Sequence, residues 1–417
     1  MFWEKEGKLI YSYDGETVCI EAWGKDALRV RATKNRSFTG RDWALEAKDA
    51  HAGEVEIFED PSAKGGAFAN MYEGTDTSYG KITNGKLHAV IDSGSVITFY
   101  HEDGRVLLKE HFRRLRDEES MPLNIMGREY SNGVGDNFRI VTRFVARKGE
   151  KIFGMGQYQQ HELDLKGCML ELAQRNSQVS VPFYLSSIGY GFLWNNPGVG
   201  QVMFANNGTE WVTESGKEID YLVIAGDTPA EIEGNYMTLT GKPPMMPEYG
   251  MGFWQCKLRY WNQEQLLSVA RKYKELGVPL DVIVVDFFHW TKQGEFKFDP
   301  KYWPDVPGMC RELKEMGIQV VVSVWPTVDI YSENFEEMKE KGYLVRTEHG
   351  VPLTMLCGGN EVFFDATNPD ARTYVWEKIK KNYYDQGAKL FWLDVAEPEY
   401  SVYDFKNYRF QLGSGQE

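Results

Sequence analysis

The chain has few of the features that mark disulfide-rich, metal-binding or membrane-spanning proteins. It contains five cysteines in 417 residues, without a CxxC pair, which argues against a disulfide framework and against a zinc site. No apolar run approaches the roughly 20 residues of a transmembrane helix, and the first residues lack the apolar segment of a signal peptide. We therefore expect a cytoplasmic protein with reduced thiols that needs no metal or other cofactor.

Positive charge is scarce as well. Lys and Arg number 47 against 61 Asp and Glu, which gives a formal net charge of −14. Binding to nucleic acid or to an anionic membrane requires a basic face, so we expect neither partner. Aromatic residues, in contrast, make up 14% of the chain. Their ring faces can stack on the C–H face of a pyranose, although a place in the core is the ordinary alternative for any single ring.

The first part of the chain has the pattern of an all-β domain. Residues 1–228 contain short alternating segments separated by Asp-Gly and Ser-Gly turns, and the stretches 9–24 and 138–156 are predicted to be β-hairpins. Regular turn signals without a convincing amphipathic helix predict a β-sandwich. A helix that begins at Thr228 and Pro229, followed by the proline-rich "KPPMMPEYG", forms the predicted linker, residues 229–248.

Residues 249–417 alternate between apolar strands and amphipathic helices. The predicted strands are "GMGFWQ", "LDVIVVD", "IQVVVSVW", "EVFFD" and "AKLFWLD". Nearly continuous apolar strands are buried on both faces, and their separation by helices predicts a parallel sheet, with a (β/α)8 barrel as the leading candidate. A doubly wound sheet is the alternative, but no GxGxxG follows the first strand.

The active site of such a barrel lies at the C-terminal ends of its strands. These ends carry two acids, Asp286 and Asp394, with Glu397 just beyond, and they carry no Ser–His pair. Paired carboxylates between aromatic walls are typical of glycoside hydrolysis. Other roles are open for each acid: Asp394 could cap a following helix, Asp286 could accept backbone hydrogen bonds, and Glu397 could be a solvated turn residue. His289 is expected to pack beside Trp290.

Several blocks, in order, resemble glycoside hydrolase family 31, the retaining α-glucosidases and α-xylosidases. These blocks include "GMGQYQQHELDLKG", "PPMMPEYGMGFWQCKLRY", "VPLDVIVVDFFHW" and "FWLDVAEPE", and the resemblance covers about residues 151–414. It implies that Asp394 is the nucleophile, that Glu397 supports it and that Asp286 binds hydroxyls of the sugar. The residues implied to line or border this subsite are Trp254, Phe287, Phe288, Trp325, Trp392, His161 and Asp164.

Two departures from the family pattern refine these expectations. Phe288 stands where glucosidases of the family often have an Asp, which favours an α-xyloside over an α-glucoside. The family's acid/base aspartate lies on a later strand, so we expect that only about the first four βα units of the barrel are present. A C-terminal remainder or a second chain would then complete the barrel, and a homo-oligomer is also possible.

The sequence leaves more than one function open. The leading interpretation is an exo-acting retaining α-glycosidase that binds an oligosaccharide or another α-glycoside. Within the family, an α-galactosidase, a transglycosidase or an α-glucan lyase would share the same nucleophile. Outside it, the alternative is a truncated, non-catalytic chain that binds sugar or serves as a subunit because it lacks the acid/base.

Overall fold

A computed structural model describes residues 1–59, 78–92, 94–111, 113–115, 123–347, 349–352, 354, 360–397 and 408–413 of the chain. The chain divides between Pro243 and Pro244 into two compact units. The first unit is mostly antiparallel sheet and the second combines parallel strands with helices. Within the described ranges, no helix has the length and apolar content to cross a membrane.

The first unit is a β-sandwich domain that ends in one helix. The helix α1 spans Pro229–Thr240, and the hydroxyl of Thr228 accepts a hydrogen bond from the backbone N–H of Glu231, as expected for an N-cap. A 3₁₀ turn lies at Ala47–Asp49. The strands are Phe2–Lys5 (β1), Lys8–Tyr13 (β2), Glu16–Trp23 (β3), Ala27–Thr33 (β4), Ala50–His51 (β5), Glu54–Glu59 (β6), Ser78–Asn84 (β7), Leu87–Ile91 (β8), Ile97–His101 (β9), Val106–Lys109 (β10), Arg113–Leu115 (β11), Leu123–Ile125 (β12), Arg128–Asn132 (β13), Phe138–Phe144 (β14), Ile152–Gln157 (β15), Met169–Leu172 (β16), Val179–Ser186 (β17), Tyr190–Trp194 (β18), Gly200–Ala205 (β19), Gly208–Gly216 (β20) and Ile219–Ala225 (β21).

These strands form antiparallel sheets that share one apolar core. The largest has the order β1-β2-β3-β4-β21-β18-β17-β15, with β5 paired to β3, and two others have the orders β10-β9-β8-β7-β6 and β13-β14-β20-β19-β16. One cluster of buried side chains includes residues from all three, among them Ile20, Phe99 and Trp211. Inward-facing side chains from these three sheets therefore contribute to the same core, which is the arrangement of a sandwich.

One predicted hairpin is confirmed and the other is wrong. The strands β2 and β3 pair directly, and Asp14 and Gly15 between them both have positive φ, the geometry of a two-residue hairpin turn. The strands β14 and β15, however, pair with different partners in different sheets. The connection between them, residues 145–151, is long enough to pass from one sheet to the other.

An ion pair lies inside the first unit where two adjacent strands meet. Arg29 on β4 donates to both carboxylate oxygens of Asp220 on β21, at 2.9 and 2.6 Å, and both side chains are fully buried. Arg29 also donates to Asp42 at 2.7 Å, and Asn195 donates to Asp220 at 2.9 Å. This bidentate pair is therefore extensively hydrogen-bonded, which is the condition under which a buried ion pair can be tolerated.

The second unit contains the parallel sheet that the sequence predicts. Its order is β22-β23-β24-β27, with every pairing parallel. Helices connect these strands, and a 3₁₀ turn at Glu248–Met251 precedes the first. The bounds are Trp254–Gln255 (β22), Gln263–Glu275 (α2), Val282–Val285 (β23), Val306–Glu315 (α3), Gln319–Val324 (β24), Thr327–Asp329 (β25), Phe335–Glu340 (α4), Glu361–Phe363 (β26), Pro369–Ile379 (α5) and Leu390–Leu393 (β27).

Two expectations about this sheet are wrong. The segment "EVFFD" forms β26, which pairs antiparallel with β25 and does not join the parallel sheet. Burial on both faces holds for β23 but not for β27, where Trp392 and Leu393 are 47% and 70% exposed. Because β27 is the edge strand of the described sheet, its last residues lack cover there despite their apolar character.

The last helix changes geometry before β27. The segment "NPDARTYVWEKIKKNYYDQG", residues 368–387, is predicted to be one helix, but α5 ends at Ile379 and a π-helical turn, Lys380–Tyr384, follows. The hydroxyl of Tyr383 in this turn lies 2.9 Å from Nε2 of His289, while Nδ1 of His289 lies 2.9 Å from the carbonyl oxygen of Asp286. Since a carbonyl only accepts, Nδ1 carries the proton and Nε2 accepts from Tyr383.

His289 is thus a buried, neutral side chain that ties the end of β23 to the π-helical turn. It is 2% exposed and its ring lies 4.7 Å from that of Trp290, which confirms the expected packing. Burial lowers the pKa of His289 from 6.5 to about 4, because the charged imidazolium would lose its hydration.

The buried ion pair generates a prediction about stability. We expect Arg29→Met to lower the free energy of unfolding of the first unit by about 3–5 kcal/mol, because the carboxylate of Asp220 would stay buried without its cation. The measurement is urea-dependent hydrogen exchange of the backbone amides in β4 and β21, which reports on this unit separately.

The matched control is Arg139→Met. Arg139 lies 3.3 Å from Glu214, but both side chains are partly exposed, and exposed pairs contribute at most about 1 kcal/mol. Equal losses of stability in the two variants would contradict the importance given to the buried pair.

The lowered pKa of His289 predicts that the second unit loses stability in acid. The unfolded chain would bind a proton near pH 6.5 and the folded chain only near pH 4, so stability falls as the pH decreases through this window. The loss between pH 7 and pH 5 is about 2 kcal/mol from this group. It is measured by urea-dependent exchange of the amides in β23 and β24.

The variant His289→Gln isolates this contribution, because glutamine does not titrate and other groups are unchanged. It should be less stable than the wild type at pH 7 and should lose less stability on transfer to pH 5. An identical pH-dependent loss in both proteins would show that His289 is not the group responsible.

Candidate active site

The register of the parallel sheet places predicted site residues of the second unit level with one another, at the C-terminal ends of its strands. We call this end of the sheet its carboxyl edge. Val285 lies opposite Val322, and Val324 lies opposite Leu393. Each strand ends within a residue or two of these pairs, so Asp286, Trp325 and Asp394 follow at the same side of the sheet. This is the carboxyl edge, where parallel α/β folds place their ligand sites.

Asp394 is held on both its backbone and its side chain. Its N–H donates to the carbonyl of Val324 at 3.1 Å, and its Oδ2 accepts a hydrogen bond from Nε1 of Trp325 at 3.1 Å. The carboxylate is partly buried, and Val395 after it has a positive φ of 58°, an unusual conformation for a β-branched residue. The chain therefore turns sharply after β27 and leaves the carboxylate of Asp394 oriented by the indole.

Aromatic side chains that follow β23 pack around Trp325, the residue whose indole contacts this carboxylate. The ring of Phe287 stacks on Trp325 with centroids 5.2 Å apart and an interplanar angle of 12°. Trp290 packs edge-on against Trp325, with ring centroids 6.1 Å apart. Phe288 has a positive φ of 62° and is 53% exposed, with its ring 4.2 Å from that of Phe287. Phe287 thus packs against Trp325, whereas Phe288 projects towards solvent.

Asp286 accepts hydrogen bonds from two different segments. Its Oδ1 accepts from the N–H of Phe287 at 2.8 Å, so the backbone role that the sequence left open is partly borne out. Its Oδ2 accepts from the thiol of Cys256 at 3.3 Å. Cys256 is exposed, but loss of hydration at its thiol, together with the hydrogen bond to Asp286 and the negative charge of that carboxylate, raises its pKa to about 11.

Glu397 has one buried oxygen, and its role as a supporting acid stays a prediction. Its Oε2 is inaccessible to solvent and has no hydrogen-bond partner among the residues that the structure describes. Trp254 and Trp392 are 38% and 47% exposed, which leaves their faces available, but their place in a sugar subsite stays a prediction.

His161 and Asp164 belong to the first unit. His161 is exposed, and Oδ1 of Asp164 accepts from the backbone N–H groups of Ile152 and Lys166 at 3.0 and 3.1 Å. These bonds give Asp164 a structural role in closing its own loop. The proposed position of this loop at the border of the subsite stays a prediction.

Sequence reasoning missed three contributors to the geometry of the second unit. Cys256 contacts Asp286, Tyr383 supports His289, and the guanidinium of Arg259 lies 5.2 Å from the ring centroid of Phe288. Cys256 directly follows the first strand, so its position at the rim was visible, but its partner was not. Across the described part of the chain, no three or more His, Cys, Asp or Glu side chains are arranged to hold a metal ion.

Two family models match this chain. The model of the glycosyl hydrolase 31 N-terminal galactose mutarotase-like domain matches residues 17–202, and that of the glycosyl hydrolases family 31 TIM-barrel domain matches residues 243–413. A solved structure of a family 31 α-xylosidase from a soil metagenome, complexed with xylose, has 49% identity and a TM-score of 0.89. The match covers 99% of this chain and 60% of that one.

Curated relatives agree with this result. An α-xylosidase of Aspergillus niger is 31% identical over 92% of this chain, which spans 52% of that enzyme. A family 31 glucosidase of Pseudescherichia vulneris, itself uncharacterized, is 45% identical over 98% of this chain and 76% of its own length. The chain thus spans between about half and three quarters of these relatives, and across that span the identity is high enough to show that it belongs to glycosyl hydrolase family 31.

Proposed function

We propose that this chain carries the nucleophile of a retaining exo-α-glycosidase that removes terminal α-xylosyl residues. The observation that carries the proposal is the arrangement of Asp394, a partly buried carboxylate at a strand end that is oriented by Nε1 of Trp325. The stacked rings of Phe287 and Trp325 beside it offer the apolar surface that a pyranose ring needs. A carboxylate next to such a surface is suited to attack an anomeric carbon.

In the proposed mechanism, a carboxylate oxygen of Asp394 attacks the anomeric carbon as the bond to the leaving oxygen breaks. A proton donor protonates that oxygen, which departs as an alcohol, and a β-xylosyl ester remains on Asp394. Water then attacks the same carbon, gives its proton to the conjugate base of the donor, and releases the carboxylate. Asp286 accepts hydrogen bonds from sugar hydroxyls during both steps.

Preference for xylose follows from the environment of Phe288. This half-exposed ring supplies an apolar surface, which suits a sugar without a hydroxymethyl group, whereas a carboxylate at this position could accept a hydrogen bond from that group. The xylose in the related soil-metagenome structure supports the same choice. The relative named as a glucosidase makes an α-glucoside the second candidate.

We also propose that the parallel sheet is the first part of an eight-stranded barrel, which a C-terminal remainder or a second chain completes. The exposed Trp392 and Leu393 on the edge strand β27 support this, since a further strand and its neighbours would cover them. The family's acid/base would then come from the completing part, and the chain by itself would bind sugar and carry the nucleophile.

A substrate whose leaving group needs no proton tests the nucleophile independently of the proton donor. We expect 5-fluoro-α-D-xylopyranosyl fluoride to label Asp394 covalently in the 417-residue chain, because fluoride departs without protonation and the ring fluorine slows hydrolysis of the ester. Peptide mass spectrometry locates the label. Unactivated alkyl α-xylosides should remain intact under the same conditions.

Asp394→Asn should abolish labelling, and Asp385→Asn, which changes a surface carboxylate after the π-helical turn, should leave it unchanged. Binding of xylose without any label would instead support the alternative of a non-catalytic sugar-binding chain. Turnover of an alkyl α-xyloside by the isolated chain would show that its acid/base lies within these residues.

Phe288→Asp tests the preference for xylose. The quantity compared is the labelling rate with the corresponding 5-fluoroglucosyl fluoride divided by the rate with the xylosyl reagent. We expect this ratio to be about tenfold higher in the variant than in the wild type, because the new carboxylate can bind the additional hydroxyl. Phe288→Ala is the matched control, since it removes the ring without adding an acceptor. A similar change of ratio in both variants would attribute the preference to space alone, and an unchanged ratio would exclude Phe288 from the sugar subsite.

A further inference from the structure

Cys256 and Asp286 form a side-chain contact between the first and second strands of the parallel sheet. Cys256 directly follows β22 and Asp286 directly follows β23, and the thiol sulfur lies 3.3 Å from Oδ2 of the carboxylate. The strands pair in parallel, with Gln255 opposite Ile283. The contact therefore lies at the carboxyl edge and is set by the sheet.

The thiol has two acceptors within reach, and they are not equivalent. The carbonyl oxygen of Lys257 lies 3.6 Å from Sγ, farther than the 3.3 Å to Asp286. A carboxylate is also the stronger acceptor because it carries a charge. Although S–H is a weak donor, both distance and charge direct it to Asp286.

The other oxygen of Asp286 is occupied as well. Oδ1 accepts the backbone N–H of Phe287 at 2.8 Å, so the two hydrogen bonds hold the carboxylate at both ends. The side chain can then rotate only by breaking one of them. Each carboxylate oxygen has more than one acceptor direction, so both remain able to bind a sugar hydroxyl.

The segment after β22 contacts the same turn a second time. The guanidinium of Arg259 lies 3.7 Å from the ring centroid of Trp261 and 5.2 Å from that of Phe288, distances at which a cation is attracted to an aromatic face. Phe288 needs support because its backbone is in the left-handed region. The residues after β22 thus contact both the acid and the exposed ring that follow β23.

We propose that Cys256 is a positioning residue, whose thiol orients the carboxylate of Asp286 for binding of a sugar hydroxyl. The role in sugar binding rests on the proposed function, whereas the coupling between thiol and carboxylate does not. Cys256 does not act as a nucleophile in this role. The thiol keeps its proton, and the hydrogen bond that it donates orients Oδ2 of Asp286.

The reactivity of the thiol reports this coupling directly. Asp286 is the charged group that faces Cys256 among the described residues, and the Tyr260 hydroxyl is the other titratable group nearby. The carboxylate opposes formation of a thiolate, so the alkylation rate of Cys256 should rise when its charge is removed.

We therefore expect Asp286→Asn to increase the rate of Cys256 alkylation by iodoacetamide at pH 8.5, measured on its peptide by mass spectrometry. Each unit by which the thiol pKa falls should raise the rate about threefold, because a larger thiolate fraction outweighs lower nucleophilicity. Cys168 and Cys310 in the same protein are internal controls and should react at unchanged rates. An unchanged pH profile for Cys256, with the fold intact by circular dichroism, would overturn the proposal.

Substitution of the thiol tests its effect on binding. Xylose titrations followed by tryptophan fluorescence should show about threefold weaker binding for Cys256→Ala, since a hydrogen bond to a charged group is lost. Cys256→Ser should bind as the wild type does, because its hydroxyl can donate to the same oxygen. Equal weakening in both variants would indicate a packing role and contradict the proposal.

The alkylation and sugar-binding experiments can contradict the positioning role and the proposed function independently of each other. If the wild type binds no xylose but Asp286→Asn still accelerates alkylation, the coupling stands and the proposed function is wrong. If xylose binds and the 5-fluoro xylosyl fluoride labels Asp394 as expected while the alkylation of Cys256 does not change, the proposed function stands and the positioning role of Cys256 is wrong.

Discussion

The parallel pairing of β23, β24 and β27 is the constraint on which the candidate site depends. Backbone hydrogen bonds between these strands fix which residues are level with one another, and a shift of one residue would turn alternate side chains to the opposite face. With this register, Trp325 reaches Asp394 and Phe287 stacks on Trp325. The carboxylate, the indole and the aromatic wall therefore form one connected group because the backbone places them at the same edge.

Polar side chains also hold the turn that follows β23. The buried His289 ties the carbonyl of Asp286 to Tyr383 in the π-helical turn, and Cys256 contacts the carboxylate of the same aspartate. Such bonds are directional, unlike apolar contacts, so they can hold a turn in one conformation. Arg29 and Asp220 have a comparable role in the first unit, where a bidentate pair joins two adjacent strands. In both units, buried polar groups thus join two segments through hydrogen bonds of defined direction.

Much of the fold was predictable because it follows local rules. Period-two segments and Asp-Gly turns predict the β-sandwich, and continuous apolar strands between helices predict the parallel sheet. The errors occur where local pattern is ambiguous. "EVFFD" has the composition of a sheet strand but pairs with β25, and the connection after β14 leads to another sheet instead of a hairpin. Strand partners are chosen by tertiary packing, which a segment's own residues do not encode.

The sequence by itself determined the class of each unit, the position of Asp286, Trp325 and Asp394 at strand ends, and the family to which these blocks are similar. Only the tertiary structure decided which of these side chains touch: the indole of Trp325 with Asp394, and the thiol of Cys256 with Asp286. Cys256 and Asp286 are 30 residues apart, and Trp325 and Asp394 are 69. Hydrogen bonds over such separations depend on strand order and register, so they become visible only once the sheet has formed.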